Sequence, residues 1–113
     1  MRTGMPAAVW FGALALSLSA HPADGEAPAP ERQRDLVRLV RHDCGSCHGM
    51  TLAGGLGPAL TAQALAERPH AYLQQVILGG RPGTAMPPWR GLLSEQDADW
   101  IARELLKGFP DGQ

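Results

Sequence analysis

Lysine is almost absent from this sequence of 113 residues, and no stripe of other basic side chains replaces it. Lys107 is the one lysine, and the formal net charge is −1. A protein that binds nucleic acid through its phosphates needs a basic face, so that class of function is excluded.

The sequence also lacks a hydrophobic run long enough to cross a bilayer as a helix. Residues 7–20 form an uncharged, mostly apolar run of 14 residues that follows Arg2 and ends in small residues. This pattern is typical of an export signal peptide over residues 1–20, cleaved somewhere within residues 19–25. Ser19, Ala20 and Ala23 offer the cleavage sites, and an uncleaved signal anchor is the alternative. After cleavage we expect no membrane attachment, and a protein that functions in the periplasm.

Cysteine is scarce: Cys44 and Cys47 are the only two, and His48 follows the second directly. A disulfide between them would not need the histidine. A structural zinc ion would need four nitrogen or sulfur ligands, and there is no second cysteine pair. C-x-x-C-H is instead the attachment pattern of a c-type haem. Both thiols lie on one helical turn, where each can add to a vinyl group, and the imidazole that follows can bind the iron.

No strand pattern is present, so we predict an all-α fold. One small domain is expected over residues 31–108, after a flexible leader at 21–30 and before a tail at 109–113. Its core would be marginal at this size, and a covalent haem would supply the missing apolar interior. Thr61 and the Ser94–Asp97 pair are the predicted N-terminal caps. The predicted helices cover residues 31–43, 61–67, 69–79 and 95–107.

An iron bound by His48 has a second axial position. The candidates are Met86, Met50, His70 and His42. Met50 and His42 lie too close to His48 in sequence to reach the opposite face. His70 begins a predicted helix, where an exposed polar role is the ordinary interpretation. Met86 is favoured because the two prolines that follow it stiffen the backbone of its loop.

The order of these motifs resembles that of class I cytochromes c. C-x-x-C-H is followed by Gly57-Pro58-x-Leu60, by Met86-Pro87 and by a C-terminal amphipathic helix. The resemblance implies that N- and C-terminal helices cross and that loops wrap one covalent haem c. It also implies that the carbonyl of Pro58 accepts the Nδ1 proton of His48.

Trp89 and Arg81 flank the methionine loop and are candidate contacts for the haem propionates. A packed tryptophan and a solvated arginine are the plain alternatives. The sequence departs from the family near position 104, where an aromatic residue is usual and this chain has Glu104. Trp100, one turn earlier, is the expected replacement.

A closer resemblance is to the small monohaem cytochromes encoded with cytochrome cd1 nitrite reductase, the NirC type. It rests on Tyr72-Leu73, on Ile77-x-x-Gly80 and on the segments at 54–60 and 83–89. It implies a monomeric, periplasmic one-electron carrier rather than an enzyme. Its partners would be nitrite reductase, as electron acceptor, or proteins of haem d1 maturation. A carrier for another periplasmic oxidoreductase and a haem-based ligand binder or sensor remain as alternatives.

Overall fold

The computed structural model describes residues 4–13, 15–18 and 26–110. Residues 4–13 and 15–18 are exposed and form neither helix nor strand. The predicted cleavage sites, the first half of the predicted leader and the last three residues of the tail lie outside the described residues. No helix in the described part of the chain is long and apolar enough to cross a membrane.

The domain is built from helices, and no strand occurs within residues 26–110. The predicted all-α class is therefore confirmed. Two long loops, at 49–61 and 80–94, separate the helices. The helices, in chain order, are α1 (Pro30–Leu39), a π-helical turn (Val40–Cys44), α2 (Gly45–His48), α3 (Ala62–Leu65), α4 (His70–Gly79) and α5 (Glu95–Lys107).

The first helix differs from the single helix predicted at 31–43. Pro30 occupies the first turn of α1, where its missing N–H costs no hydrogen bond. After Leu39 the backbone widens, and the N–H of Gly45 donates to the carbonyl of Val40, five residues earlier. Such π-helical turns are inserted within helices, often beside functional sites. This one connects α1 to α2 and ends at Cys44.

The predicted caps are confirmed because capping is local chemistry. The hydroxyl of Thr61 accepts from the N–H of Ala64 at 3.2 Å, although α3 ends at Leu65, two residues earlier than predicted. At α5 both bonds of the capping box are present. The Ser94 hydroxyl accepts from the Asp97 N–H, and the Asp97 carboxylate accepts from the Ser94 N–H, each at 3.0 Å.

The core lies where α4 and α3 pack against α5, with α1 closing one side. Arg32 of α1 forms an ion pair with Asp97 in the first turn of α5 at 2.7 Å. Leu36 and Val40 are completely buried. The buried apolar cluster comprises Leu36, Val40, Leu52, Leu65, Leu73, Leu78, Leu93, Ala98, Trp100, Ile101, Ala102 and Leu105.

Contacts of the domain reach beyond the predicted boundaries at both ends. Before α1, Pro28 is buried and its carbonyl accepts from Gln33 at 2.8 Å. After α5, the guanidinium of Arg41 donates to the carbonyls of Phe109 and Pro110, at 3.1 and 2.8 Å. The ring of Phe109 meets Trp100 edge to face, 6.3 Å between centroids. Trp100 is buried in the core and contacts the segment that follows α5.

Candidate functional site

A cleft of about 730 Å³ opens between α2, the loop at 49–60, α4 and the loop at 81–89. Its walls are mainly apolar, and α5 contributes to its floor. The structure brings all the predicted site residues to this one cleft. They are Cys44, Cys47, His48, Pro58, Arg81, Met86 and Trp89.

Two free thiols stand at one side of the cleft. Cys44 ends the π-helical turn and is half-buried, whereas Cys47 lies in α2 and is exposed. Burial, and next to it the negative charge of Asp43, raises the pKa of the Cys44 thiol to about 11. Cys44 is therefore protonated at neutral pH.

The ring of His48 is oriented by the loop that follows it. Its Nδ1 lies 2.7 Å from the carbonyl oxygen of Pro58. A carbonyl only accepts, so Nδ1 carries the proton and donates, which leaves the lone pair on Nε2 available for a metal. The loop is tied to α2, since the N–H of Gly57 donates to the carbonyl of Cys47 at 2.7 Å.

Gly57 lies directly against this imidazole. A Cβ atom on Gly57 would come within 2.8 Å of both Cε1 and Nδ1 of His48. Real Cβ atoms do not approach that closely, so any other residue would displace the ring or the loop. The Gly57-Pro58 pair therefore gives the ring both room and a hydrogen-bond partner.

Met86 is distant from these residues in sequence and lies in the loop that follows α4, which contacts the end of that helix. Gly80 ends that helix with φ +67°, and a Cβ there would lie 2.7 Å from the Met86 carbonyl oxygen. The N–H of Arg81 donates to that same carbonyl at 3.1 Å. Beyond the prolines, the N–H of Trp89 donates to the Ile77 carbonyl at 3.1 Å. The half-buried Met86 is thus held at the wall of the cleft.

The other candidates for the second axial ligand do not line the cleft among the described residues. His42 and Met50 are exposed. His70 instead accepts a hydrogen bond from Arg103 at 3.0 Å, and Asp99 lies 3.6 Å from the same nitrogen.

Two further residues of the cleft, Arg68 and Tyr72, were not predicted as site residues, although Tyr72 is one of the residues on which the closer family resemblance rests. The guanidinium of Arg68 lies over the Tyr72 ring, 5.6 Å from its centroid. Neither Arg68 nor Arg81 forms an ion pair within the described part of the chain. A signal was present, because only four residues between Cys44 and Ser94 carry a full charge, and these arginines are two of them.

Comparison with known proteins settles the family. The sequence family described as "Cytochrome C oxidase, cbb3-type, subunit III" matches residues 31–103. The chain belongs to this cytochrome c family. Cytochrome c55X of Paracoccus denitrificans is 57% identical to the cytochrome over 95 residues, 84% of this chain and 92% of that protein. The resemblance to class I cytochromes c is thereby confirmed.

A solved structure has the same fold. The c-type cytochrome NirC superposes on the cytochrome with a TM-score of 0.70 at 52% sequence identity, covering 71% of this chain and 94% of that one. A third relative is much larger. The Dihydro-heme d1 dehydrogenase of Pseudomonas aeruginosa is 37% identical over 98 residues, 87% of this chain but only 18% of that protein.

The residues of the cleft fit the covalent haem that a c-type cytochrome carries. Two thiols and an imidazole with a free Nε2 stand on consecutive turns, and a thioether, Met86, lines the same space. Apolar walls suit a porphyrin, and the two unpaired arginines suit its carboxylates. The thiols would hold the haem covalently, and His48 and Met86 have the donor atoms for its iron.

Proposed function

We propose that the cytochrome is a periplasmic carrier of single electrons rather than an enzyme, with one haem c attached at Cys44 and Cys47. His48 and Met86 are its axial ligands in this proposal. When bound, the haem supplies an iron that changes its charge by one unit. With His48 and Met86 as its two further ligands, the iron would have no position left for a substrate.

The observation that carries this proposal is that two different donor groups, the imidazole of His48 and the thioether of Met86, line one cleft. The imidazole of His48 is fixed by Pro58 at 2.7 Å, and the Met86 loop is fixed by Gly80 and Arg81. Rigid donors keep the site similar before and after electron transfer. An imidazole paired with a neutral thioether favours a high reduction potential.

Spectroscopy of the protein, produced in a host that attaches haem, tests these assignments. We expect one haem per chain, blocked thiols and a ferric spectrum with the weak long-wavelength band of thioether ligation. Met86→Ala should abolish that band, whereas Met50→Ala should keep it, because Met50 is 63% exposed and does not line the cleft. A colourless product with free thiols, or a Met86→Ala spectrum identical to the wild type, would reject them.

Electron exchange would take place at the surface beside Cys47. Cys47 is exposed, Leu56 is 95% exposed, and Ala53 and Ala85 are exposed as well. Exposed apolar side chains of this kind suit a small, transient contact burying less than about 1,200 Å² in total.

For the partner we propose the nitrite reduction pathway, as electron donor to cytochrome cd1 nitrite reductase or in haem d1 maturation. The Dihydro-heme d1 dehydrogenase, in which a similar segment makes up 18% of the chain, supports the maturation role. Deletion of the gene separates the two roles. A nitrite reductase lacking haem d1 indicates maturation, whereas a complete but slowly reduced enzyme indicates electron donation. Normal reductase in normal amount would reject both.

We further propose that the signal peptide at 1–20 exports the protein to the periplasm. The uncharged run at 7–20 after Arg2 supports this. N-terminal sequencing of the protein from the periplasmic fraction should give a start within residues 20–26. A chain that retains Met1 and sediments with membranes would indicate the uncleaved anchor instead.

Arg81 and Trp89, joined by Arg68, are proposed to contact the haem propionates. All three line the cleft, and neither arginine has an ion-pair partner among the described residues. Loss of a positive charge near the iron favours the more positive oxidised state, so Arg81→Gln and Arg68→Gln should each lower the reduction potential. Arg90→Gln is the control, because Arg90 is paired with Glu95 and does not line the cleft.

A further inference from the structure

Residues 81–86 form a loop that is closed by its own hydrogen bonds. The N–H of Arg81 donates to the carbonyl of Met86 at 3.1 Å, which joins the two ends of the loop. Inside it, the N–H of Thr84 donates to the carbonyl of Arg81 at 3.0 Å. The backbone of Met86 and of the prolines lies against Gly80. Residues 81–85, 87 and 88 are exposed, so packing of their side chains contributes little to holding this loop.

The hydroxyl of Thr84 bridges the loop. It donates to the Arg81 carbonyl at 2.7 Å and accepts from the Met86 N–H at 3.3 Å. Pro82, Pro87 and Pro88 have no N–H with which to replace these bonds. Among the described residues, Thr84 is the one whose side chain hydrogen-bonds the backbone of Met86.

We propose that Thr84 is a positioning residue that determines how firmly Met86 holds the iron. The inference rests on the proposed function, in which Met86 is the axial ligand. With the hydroxyl in place, Met86 enters the bond to iron from a backbone that is already ordered. Without the hydroxyl, the loop has additional conformations in which the thioether does not reach the iron. Restricting the loop to the bound conformation then costs conformational entropy, which weakens the bond between Met86 and the iron.

A weaker internal ligand is displaced more easily by an external one, so imidazole is the probe. Imidazole is titrated into the ferric holoprotein, and its replacement of the thioether is followed by visible spectroscopy. Thr84→Val removes the hydroxyl at nearly constant shape and should tighten imidazole binding by about five- to tenfold, an effect within the net contribution of the two hydrogen bonds that it removes. Thr84→Ser keeps the hydroxyl and should bind imidazole like the wild type.

Thr61→Val is the matched control. It also removes a threonine hydroxyl that accepts from a backbone N–H, that of Ala64, but at the start of α3 and outside the cleft. It should leave imidazole binding unchanged. If Thr84→Val does not fold, Thr84→Ala removes the same hydroxyl at this exposed position and must give the same increase.

Three results would overturn the inference. Wild-type affinity in the Thr84→Val and Thr84→Ala proteins would show that the hydroxyl does not act on Met86. An equal increase in Thr61→Val would show that only general stability is involved. If the wild-type protein lacks the thioether band, both the axial assignment and the role of Thr84 fail, whereas the first two results leave the axial assignment intact.

Discussion

Among single residues, Gly57 is sterically constrained by the ring that would bind the iron, because its Cα lies against that ring. Gly57→Ala would place a Cβ 2.8 Å from two ring atoms of His48. We expect the holoprotein to lose about 1–3 kcal/mol of its free energy of unfolding, the usual cost of overpacking. Denaturant unfolding followed through the haem absorbance measures this loss.

Gly91→Ala provides the control for that substitution. No atom lies within 4 Å of a Cβ at Gly91, and its φ lies outside the left-handed region. Its free energy of unfolding should stay within about 0.5 kcal/mol of the wild type. Equal losses in the two variants would contradict the steric role of Gly57.

Single residues could be predicted from the sequence where their role depends on neighbours in the chain, but not where it depends on tertiary packing. Cys44, Cys47 and His48 were predictable because their spacing alone carries the attachment chemistry. Arg68 was not, because its place in the cleft depends on how α3 and α4 turn relative to the Met86 loop. The bridging bonds of Thr84 likewise require the loop conformation, which the letters Pro-Gly-Thr do not specify.

At the level of helices, the ionised carboxylate of Asp97 in the first turn of α5 contributes to the free energy of unfolding. Burial acts to raise the pKa of the Asp97 carboxyl, but hydrogen bonds from Arg32 and Ser94 and the Arg32 charge outweigh it, and the pKa lies below its ordinary value. A carboxyl with a lowered pKa stabilises the fold above its unfolded pKa of about 3.9, and this stability is lost as the pH falls through its folded pKa.

Asp97→Asn should therefore lower the free energy of unfolding at neutral pH. The difference from the wild type should be constant above about pH 4 and shrink on further acidification. Glu67→Gln is the control, because Glu67 is exposed and forms no ion pair among the described residues. Unfolding measured from pH 7 to pH 3 would refute this if Asp97→Asn and the wild type ran parallel throughout.

A second helix-level prediction concerns Phe109, which joins the end of α5 to the π-helical turn. Its ring contacts Trp100 and lies under the guanidinium of Arg41, 5.6 Å from the ring centroid. Phe109→Ala should reduce the free energy of unfolding by about 1–2 kcal/mol, the sum of an aromatic pair and a cation–π contact. Leu92→Ala, at a side chain that is 67% exposed, should cost much less in the same denaturation experiment.

The starts and ends of α4 and α5 were predicted to within one residue, whereas the ends of α1 and α3 were predicted too late. Thr61 and Ser94 could be recognised as N-terminal caps from the sequence, because each hydroxyl accepts from the N–H three residues later in the same segment. The end of α1 was predicted wrongly because the π-helical turn continues the apolar pattern of Leu36 and Val40. Periodicity does not distinguish an α-helix from one that widens in its last turn.

In the molecule as a whole, the core and the cleft share residues. Six of the twelve buried apolar residues also line the cleft: Val40, Leu65, Leu73, Leu93, Ile101 and Leu105. A haem in the cleft would therefore pack against half of the buried apolar cluster and extend the core. The all-α class could be predicted from the sequence, whereas this sharing could not, because it depends on tertiary packing.

Removal of the attachment thiols should accordingly unfold much of the domain. In Cys44→Ala, Cys47→Ala we expect most of the helical far-UV circular dichroism to be lost, because the remaining core is too small to be stable. Wild-type polypeptide made without haem attachment is the control and should be equally disordered. Native helicity in either apo protein would contradict the dependence of the fold on haem.

The π-helical turn at Val40–Cys44 also determines how α2 is rotated relative to α1. One residue corresponds to a rotation of about 100° around a helix axis. Removing a single residue from this stretch would restore regular winding but rotate both sulfurs and the imidazole away from the cleft that would hold the haem. The spacing within the C-x-x-C-H motif would be unchanged, but its side chains would no longer point into the cleft. We therefore expect a change of length within residues 40–43 to be tolerated less well than one in the surrounding loops.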